Sequence, residues 1–224
     1  MELRQWTKTF AGGALATAMR DLNARHPWSH NDHFHSWILA NLPERRRTAL
    51  DVGSGRGELL ATLSPHFCEV LGTDVDESMR QVATLRCTGL PNVSVTGDAP
   101  TDLIGDFDLV TMIAVLHHLD DVAGALKDVR RLLAPGGQFL AVGLAPPRSL
   151  RDHAWDGASI VSNPVIGFVK HPWPSKLGLQ PPPFPVREPT MPFDEVREVV
   201  HATMPGANVR HRLGFRHTIS WAKD

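Results

Sequence analysis

The sequence predicts an α/β fold of the Rossmann-like, doubly wound type, with a seven-stranded sheet that is mostly parallel and closes with an antiparallel hairpin. From residue 48 onward, short apolar runs alternate with segments of helical period, which is typical of parallel strands joined by crossover helices. The run at 107–116 is almost entirely apolar, as expected of a central strand covered on both faces. The last two runs, 208–215 and 217–223, are close enough in sequence to form the hairpin.

The overall composition limits the kind of protein this can be. A chain of 224 residues, 42% hydrophobic and 21% charged, predicts one soluble globular domain, and no apolar run approaches the length of a membrane span. No secretory signal is recognisable, so we expect a cytoplasmic protein. Cys68 and Cys87 are too few for a disulfide framework or a cysteine-based zinc site. The net charge of −1 and a single dense basic run, 45–47, argue against nucleic acid as a main partner, and the oligomeric state is not indicated.

The first half of the pattern alternates strands and helices in a simple order. Strands are predicted at 48–53, 68–74 and 92–98, and helices at 57–67 and 76–86. Asp76 stands where a carboxylate caps the first turn of a helix, and capping is the simplest interpretation of that residue. Met79, on the apolar side of the same helix, is expected in the core.

The second half continues the pattern and then interrupts it. A helix is predicted at 120–133, because its start is acidic, its end is basic and apolar residues recur on one side. The residues "APGG" (134–137) predict a turn, and 138–144 predict a fifth strand. Eleven of the 18 prolines lie between Pro146 and Pro192, which predicts an irregular excursion before a last helix at 194–203.

Two features at the ends of the first two strands indicate a nucleotide-containing ligand. In "DVGSGRG" (51–57), three glycines permit a sharp turn whose backbone N–H groups approach a ligand closely. Asp74 ends the second strand about twenty residues later, where a carboxylate can accept both hydroxyls of a ribose. Together they imply an adenosine-containing cofactor. The third glycine comes one residue too early for the G-x-G-x-x-G fingerprint, which disfavours nicotinamide and flavin cofactors.

In these features the chain resembles the class I S-adenosylmethionine-dependent methyltransferases over residues 48–145, and more weakly in the closing helix and hairpin. Five segments carry the resemblance in the expected order, namely "LDVGSGRG", "GTDVDESM", "GDA", "FDLVTMIAVLHHLDD" and "LAPGGQFLAV". The resemblance implies S-adenosylmethionine as cofactor and transfer of its methyl group to a small-molecule acceptor with an O, N, S or C nucleophile.

The same resemblance implies which residues contact the cofactor, all of them at the ends of three strands. They are Asp51, Gly53, Ser54, Gly55, Asp74, Val75, Asp98 and Ala99. Asp51 would lie near the amino group of the cofactor, and Asp74 would hold its ribose. Val75 would pack on the adenine, whose amino group would donate to Asp98. Gly57, by contrast, is interpreted as a site of close packing between elements.

His117 and His118 follow the central strand and are the candidate catalytic residues. Methyl transfer from a sulfonium is an in-line displacement, so the enzyme mainly has to align the nucleophile with the methyl carbon and the sulfur. A base is needed only where the nucleophile carries a proton at neutral pH, and histidine is suited to that task. The alternative is that these histidines contact backbone or cofactor and accept no proton.

The chain is interpreted as a single domain, 1–224, in which two segments cover a core. In the methyltransferases that it resembles, the segments before the first strand and after the fifth usually close over the substrate. We therefore divide the chain into an N-terminal helical lid, the cofactor-binding core, a proline-rich insertion over the substrate, and the closing helix and hairpin. Their ranges are 1–47, 48–145, 146–192 and 193–224.

The lid contains "HPWSHNDHFHSW" (26–37), in which four histidines lie within ten positions. A helix that begins near residue 29 or 31 would bury Phe34, Ile38 and Leu42 and would bring His30, His33 and Trp37 together on a neighbouring face. Three interpretations stay open, which are a wall of the active site, a plain amphipathic helix, and a metal site. The last would need a further ligand from elsewhere, so we predict no metal.

Two other classes of function also remain open. A protein that binds S-adenosylmethionine without catalysis would keep the same motifs, and a related variant would use the bound cofactor electrostatically without moving its methyl group. An NAD(P)-dependent oxidoreductase is disfavoured by the glycine spacing.

Overall fold

The computed structural model describes residues 34–147, 187–212 and 216–224. Seven strands and five α-helices are described in these ranges. The strands are β1 (Thr48–Val52), β2 (Glu69–Thr73), β3 (Val93–Thr96), β4 (Phe107–Ile113), β5 (Leu133–Gly143), β6 (Asn208–Arg212) and β7 (Arg216–Ala222). The helices are α1 (His35–Leu39), α2 (Glu58–Leu63), α3 (Glu77–Arg86), α4 (Val122–Leu132) and α5 (Phe193–Thr203).

All seven strands belong to one sheet, in the order β3-β2-β1-β4-β5-β7-β6. The first five strands run parallel, whereas β7 is antiparallel to both β5 and β6. This confirms the predicted Rossmann-like sheet with its antiparallel C-terminal hairpin. The strand order reverses between β1 and β4, and the crevice at the carboxyl ends of such strands is where open α/β sheets bind ligands.

The two faces of the sheet bury separate apolar clusters, because side chains alternate along each strand. On β1, Leu50 belongs to the cluster under α4 and α5, whereas Ala49 belongs to the cluster under α1, α2 and α3. On β4, Val110 and Leu109 divide in the same way. Covering on both faces explains why β4 is nearly all apolar. No helix in the described ranges is long and apolar enough to cross a membrane.

Several boundaries, including those of β5, α2 and α5, differ from the sequence prediction. The "APGG" segment (134–137) does not form a separate turn, since β5 begins at Leu133 and includes it. The segment is irregular, with Gly136 at φ 73° and a shift in the pairing with β4, but Gly136 N–H donates to Lys223 O, so the end of the chain extends the sheet beside it. The helix predicted at 57–67 ends at Leu63, and a 3₁₀ turn with a proline, Ser64–His66, follows. The last helix begins at Phe193, one residue early.

The described chain begins inside the histidine-rich stretch. Phe34 and Ile38 are buried, and Leu42 packs against the cluster that contains Ile38, which confirms the predicted apolar side. His26, His30 and His33 lie outside the described residues, as does the insertion from 148 to 186. The division of the chain into lid, core and insertion stays a prediction.

Candidate active site

The glycine turn after β1 is a compact loop held against the end of β2. Gly53, Gly55 and Gly57 have φ values of 69°, 53° and 77°, a left-handed backbone that other residues adopt only with strain. The N–H groups of Gly53 and Ser54 donate to Thr73 O at 2.7 and 2.9 Å. A side chain at 53 would overlap Val115, and one at 57 would stand 3.1 Å from Ala83 Cα of α3, which supports close packing as the role of Gly57.

Asp74 lies directly beside this turn. Its Oδ2 accepts from Gly55 N–H at 2.8 Å and its Oδ1 from Asp76 N–H at 2.9 Å, so backbone groups on both sides fix the carboxylate. Each oxygen keeps a lone pair for a further donor. The next residue, Val75, is 87% exposed. The base of an adenosine could pack on this exposed aliphatic side chain while its ribose lies beside the fixed carboxylate. Asp76 caps α3, accepting from Ser78 N–H and Met79 N–H, as predicted.

Asp51 is a buried carboxyl at the end of β1. It is 3% exposed, and its Oδ1 accepts from Thr111 Oγ1 of β4 at 2.7 Å. The pKa of Asp51 is raised to about 7, mainly by burial and in smaller part by the charges of Asp74 and Glu58, while the Thr111 hydrogen bond acts in the opposite direction. The Oγ of Ser54, also buried, has no hydrogen-bond partner among the described residues. A cationic ammonium would favour the ionised Asp51, so this end of the crevice fits the amino-acid part of S-adenosylmethionine.

Asp98 and Ala99 follow β3 at the same edge of the sheet. Asp98 is exposed, and its Oδ2 accepts from Thr96 Oγ1 at 2.7 Å. The backbone N–H of Asp98 donates to the same hydroxyl at 3.3 Å. This local turn holds the carboxylate at the surface beyond β2, while leaving it open to a ligand.

The end of β4 has an unusual backbone. Ala114 has φ 58°, the only left-handed residue other than glycine in the described part of the chain. Its N–H donates to Val142 O of β5 at 2.7 Å. Because a left-handed alanine costs roughly 1–2 kcal/mol, the surrounding structure must hold it in place. The turn leads into Val115, which covers Gly53, and then into the 3₁₀ turn Leu116–His118.

His117 and His118 are adjacent rings with different surroundings. Their centroids are 4.1 Å apart with the planes tilted by 44°. Burial, together with the charges of His118, Arg216 and Arg187, lowers the pKa of His117 to about 4. Burial also lowers the pKa of His118, as does Arg187, whereas Asp74 raises it. The pKa of His118 is therefore affected by the charge of Asp74, whereas the pKa of His117 is affected by Arg216 of the closing hairpin.

A cavity of about 120 Å³ opens between His117 and the closing hairpin. Its polar lining consists of His117, Asp120, Arg187, Thr190 and His217. The remaining lining residues are apolar, and they are Leu116, Leu119, Val122, Leu144, Met191 and Val196. Polar groups that converge in an apolar cleft are the usual form of a small-molecule site.

Of these polar residues the sequence prediction named only His117, and Arg187 and His217 are two of those that it missed. Arg187 lies in the proline-rich segment, where its Nη1 donates to His118 O at 2.7 Å and its Nη2 contacts Asp120 Oδ1 at 2.6 Å. His217 is the second residue of β7 and pairs with Gly143 of β5. The signal for His217 was Gly143, because a glycine inside a strand often marks a close approach, and here a side chain would overlap the imidazole.

The described residues of the histidine-rich stretch lie elsewhere. Trp37 packs against the apolar cluster that contains Ile38, and it does not belong to the cavity lining found in the described residues. His35 Nδ1 lies 3.3 Å from Thr62 Oγ1 of α2. In the described ranges, no group of three or more histidine, cysteine, aspartate or glutamate residues is placed to hold a metal ion.

Comparison with known proteins identifies the fold and its relatives. A family model described as a methyltransferase domain matches residues 50–139. An uncharacterized methyltransferase of Mycobacterium tuberculosis is 31% identical over 197 residues, which cover 87% of this chain and 96% of that protein. A demethylmenaquinone methyltransferase of Tropheryma whipplei is 32% identical over 102 residues, 44% of this chain and 42% of that protein. The crystal structure of a SAM-dependent methyltransferase from Aquifex aeolicus superimposes with a TM-score of 0.56 at 18% identity, covering 92% of this chain and 96% of that one.

Proposed function

Because the chain belongs to the class I S-adenosylmethionine-dependent methyltransferases, we propose that it methylates a small-molecule acceptor held in the cavity beside His117. S-adenosylmethionine is the cofactor, and it supplies an electrophilic methyl carbon on a sulfonium. The proposal rests on the position of the cavity, because His117 both lines it and belongs to the 3₁₀ turn that follows β4. The acceptor would thus lie on the hairpin side of that turn, and the cofactor on the Asp74 side.

The cofactor would be held by the residues at the ends of β1, β2 and β3. Asp74 would accept from the ribose hydroxyls, and the exposed Val75 would pack against the adenine. Asp51 would face the amino group, with Gly53, Ser54 and Gly55 around the methionine end, while Asp98 and Ala99 would contact the adenine edge.

His117 would orient the acceptor rather than remove a strongly held proton. Its pKa of about 4 makes the imidazole neutral and only weakly basic at neutral pH. A neutral imidazole still donates one hydrogen bond and accepts one, so it can align a nucleophile for in-line attack. His118 would act as the neighbouring contact toward the cofactor.

The remaining parts of the proposal rest on relatives and on position. The demethylmenaquinone methyltransferase and a ubiquinone biosynthesis O-methyltransferase of Pseudomonas paraeruginosa, 31% identical over 108 residues, carry names that refer to quinones. We propose that the segments before β1 and between β5 and α5 cover the acceptor, with His30 and His33 in the first of them; Trp37, which was predicted with them, packs instead against the apolar cluster that contains Ile38. The cytoplasmic location expected from the sequence stays a prediction.

Labelled methyl transfer tests this function. The protein is incubated with S-adenosylmethionine carrying a labelled methyl group and with small phenols, carboxylates, thiols and amines. We expect label to move to at least one class, and substitution of His117 to reduce the rate. Tight cofactor binding by calorimetry without transfer to any class would favour the non-catalytic binding protein instead.

A further inference from the structure

His217 is a buried histidine with a nitrogen that no protein group satisfies. It is 2% exposed, and its Nε2 has no hydrogen-bond partner among the described residues. The ring lies over Gly143, where any side chain would overlap it, and edge-on to Phe193 at 5.8 Å between centroids. Packing therefore fixes this imidazole in the cavity wall, and a buried polar atom without a partner in such a wall calls for a ligand.

His117 presents a second such nitrogen to the same cavity. Its Nδ1 is buried and also lacks a partner among the described residues. Burial holds the pKa of His217 at about 3 and that of His117 at about 4, so both rings are neutral at neutral pH. The proton of a neutral imidazole can be on either nitrogen, so the unpartnered nitrogen of each ring can be the N–H donor to a ligand.

The charges around the two rings favour a negative ligand. Arg187 lines the cavity, and the charge of Arg216, which is half-buried and lies outside the described lining, lowers the pKa of both imidazoles. Burial lowers the pKa of Arg216 to about 10, so it stays cationic at neutral pH. Asp120 is the one carboxylate among the described lining residues. It is paired with Arg187, and its side chain is 87% exposed to solvent. Arginine charge therefore acts at both imidazoles, which disfavours a cationic ligand beside them.

We propose that the acceptor reacts through an anionic oxygen, a carboxylate or an ionised phenol, which accepts hydrogen bonds from His117 and His217. The proposal rests on the proposed function and specifies its substrate class. In the reaction the oxygen forms a bond to the methyl carbon, the carbon–sulfur bond breaks with its electron pair on sulfur, and no proton has to be removed by the protein. The cavity, at about 120 Å³, is somewhat smaller than one of about 150 Å³ that admits benzene, so the acceptor group held there is at most about one six-membered ring.

Binding of matched single-ring probes tests the proposal without relying on turnover. Benzoate, 4-nitrophenol in mildly alkaline buffer, benzamide and benzylamine are titrated into the protein saturated with S-adenosylhomocysteine. We expect benzoate or 4-nitrophenolate to bind at least about tenfold more tightly than benzamide, because hydrogen bonds to a charged group are the stronger ones. The two anions separate carboxylate from phenolate as the source. Equal binding of benzamide or benzylamine, or no binding of either anion, would overturn the proposal.

Variants then assign the effect to His217. His217→Phe keeps the ring and removes the donor, and should weaken binding of the preferred anion about tenfold or more, while His217→Gln, which keeps a donor, should restore part of it. His211→Phe is the matched control, because His211 stacks on Phe193 at 3.6 Å and does not belong to the described cavity lining. Equal losses in both Phe variants would refute a specific role for His217. Failure to bind S-adenosylmethionine would instead refute the proposed function, since that readout does not depend on the anion.

Discussion

The buried carboxyl of Asp51 makes a quantitative prediction about pH. Its pKa is about 7 in the folded chain, against an ordinary value of 3.8. A carboxyl whose pKa is raised by folding stabilises the native state only while it is protonated, so this stabilisation is complete below pH 3.8 and is lost as the pH rises through 7. A shift of about three pKa units corresponds to about 4 kcal/mol of lost stability at alkaline pH. The cofactor's ammonium would offset this cost by favouring the ionised form.

Asp51→Asn removes the titration while keeping the size of the side chain. The free energy of unfolding of the variant, relative to the unsubstituted protein, should become more favourable by roughly 2–3 kcal/mol between about pH 5 and about pH 8. Denaturant unfolding of the cofactor-free proteins at the two pH values measures this difference, and calorimetry should show weaker binding of S-adenosylmethionine by the variant. Asp98→Asn is a control, because Asp98 is exposed at the same edge of the sheet.

A difference in stability between the two proteins that does not change with pH would contradict the raised pKa of Asp51. Such a result would mean that Asp51 is ionised at little cost in the empty site. It would also remove the argument that this carboxyl is matched to a cation.

Three further predictions concern single positions. Asp74→Ala should weaken S-adenosylmethionine binding by about tenfold or more in calorimetry, with an unchanged circular dichroism spectrum, and unchanged affinity would remove Asp74 from the ribose. Folding lowers the pKa of His217 from its ordinary value of 6.5 to about 3. The neutral ring therefore contributes its full stabilisation of the fold above pH 6.5, and this stabilisation is lost as the pH falls toward 3. His217→Phe should therefore unfold less steeply with acid, and an equally steep acid transition would contradict that burial. Ala114→Val should reduce the free energy of unfolding by about 1–3 kcal/mol, because a β-branched residue resists the left-handed backbone, whereas Ala114→Gly should be nearly neutral and serves as its control.

The fold was predictable because its signals are local and repeated. Alternation of apolar runs and helices identified the parallel strands, and the acid after β2 and the glycines after β1 met at one edge because parallel strands end together. The prediction of a turn at "APGG" (134–137) was wrong for a physical reason. Proline and glycine mark a turn in an isolated segment, but Gly136 donates to Lys223 at the far end of the chain, and this distant pairing extends β5 through them.

The acceptor side of the site was less predictable because its residues come from distant segments. His217 reaches the cavity only through antiparallel pairing with β5, and Arg187 only through contacts with the turn after β4. Neither belongs to a motif, and their meaning depends on which strands are neighbours. His117 was found from sequence because it directly follows a central strand, but its low pKa depends on burial and on Arg216, which no local pattern reveals.

A structure of the protein in complex with S-adenosylhomocysteine tests the central claim most directly. We expect the ribose hydroxyls to donate to Asp74, the adenine to cover Val75, and the sulfur to face the cavity between His117 and His217. A cofactor bound elsewhere, or a sulfur that faces away from that cavity, would contradict the assignment of the cofactor and acceptor sites.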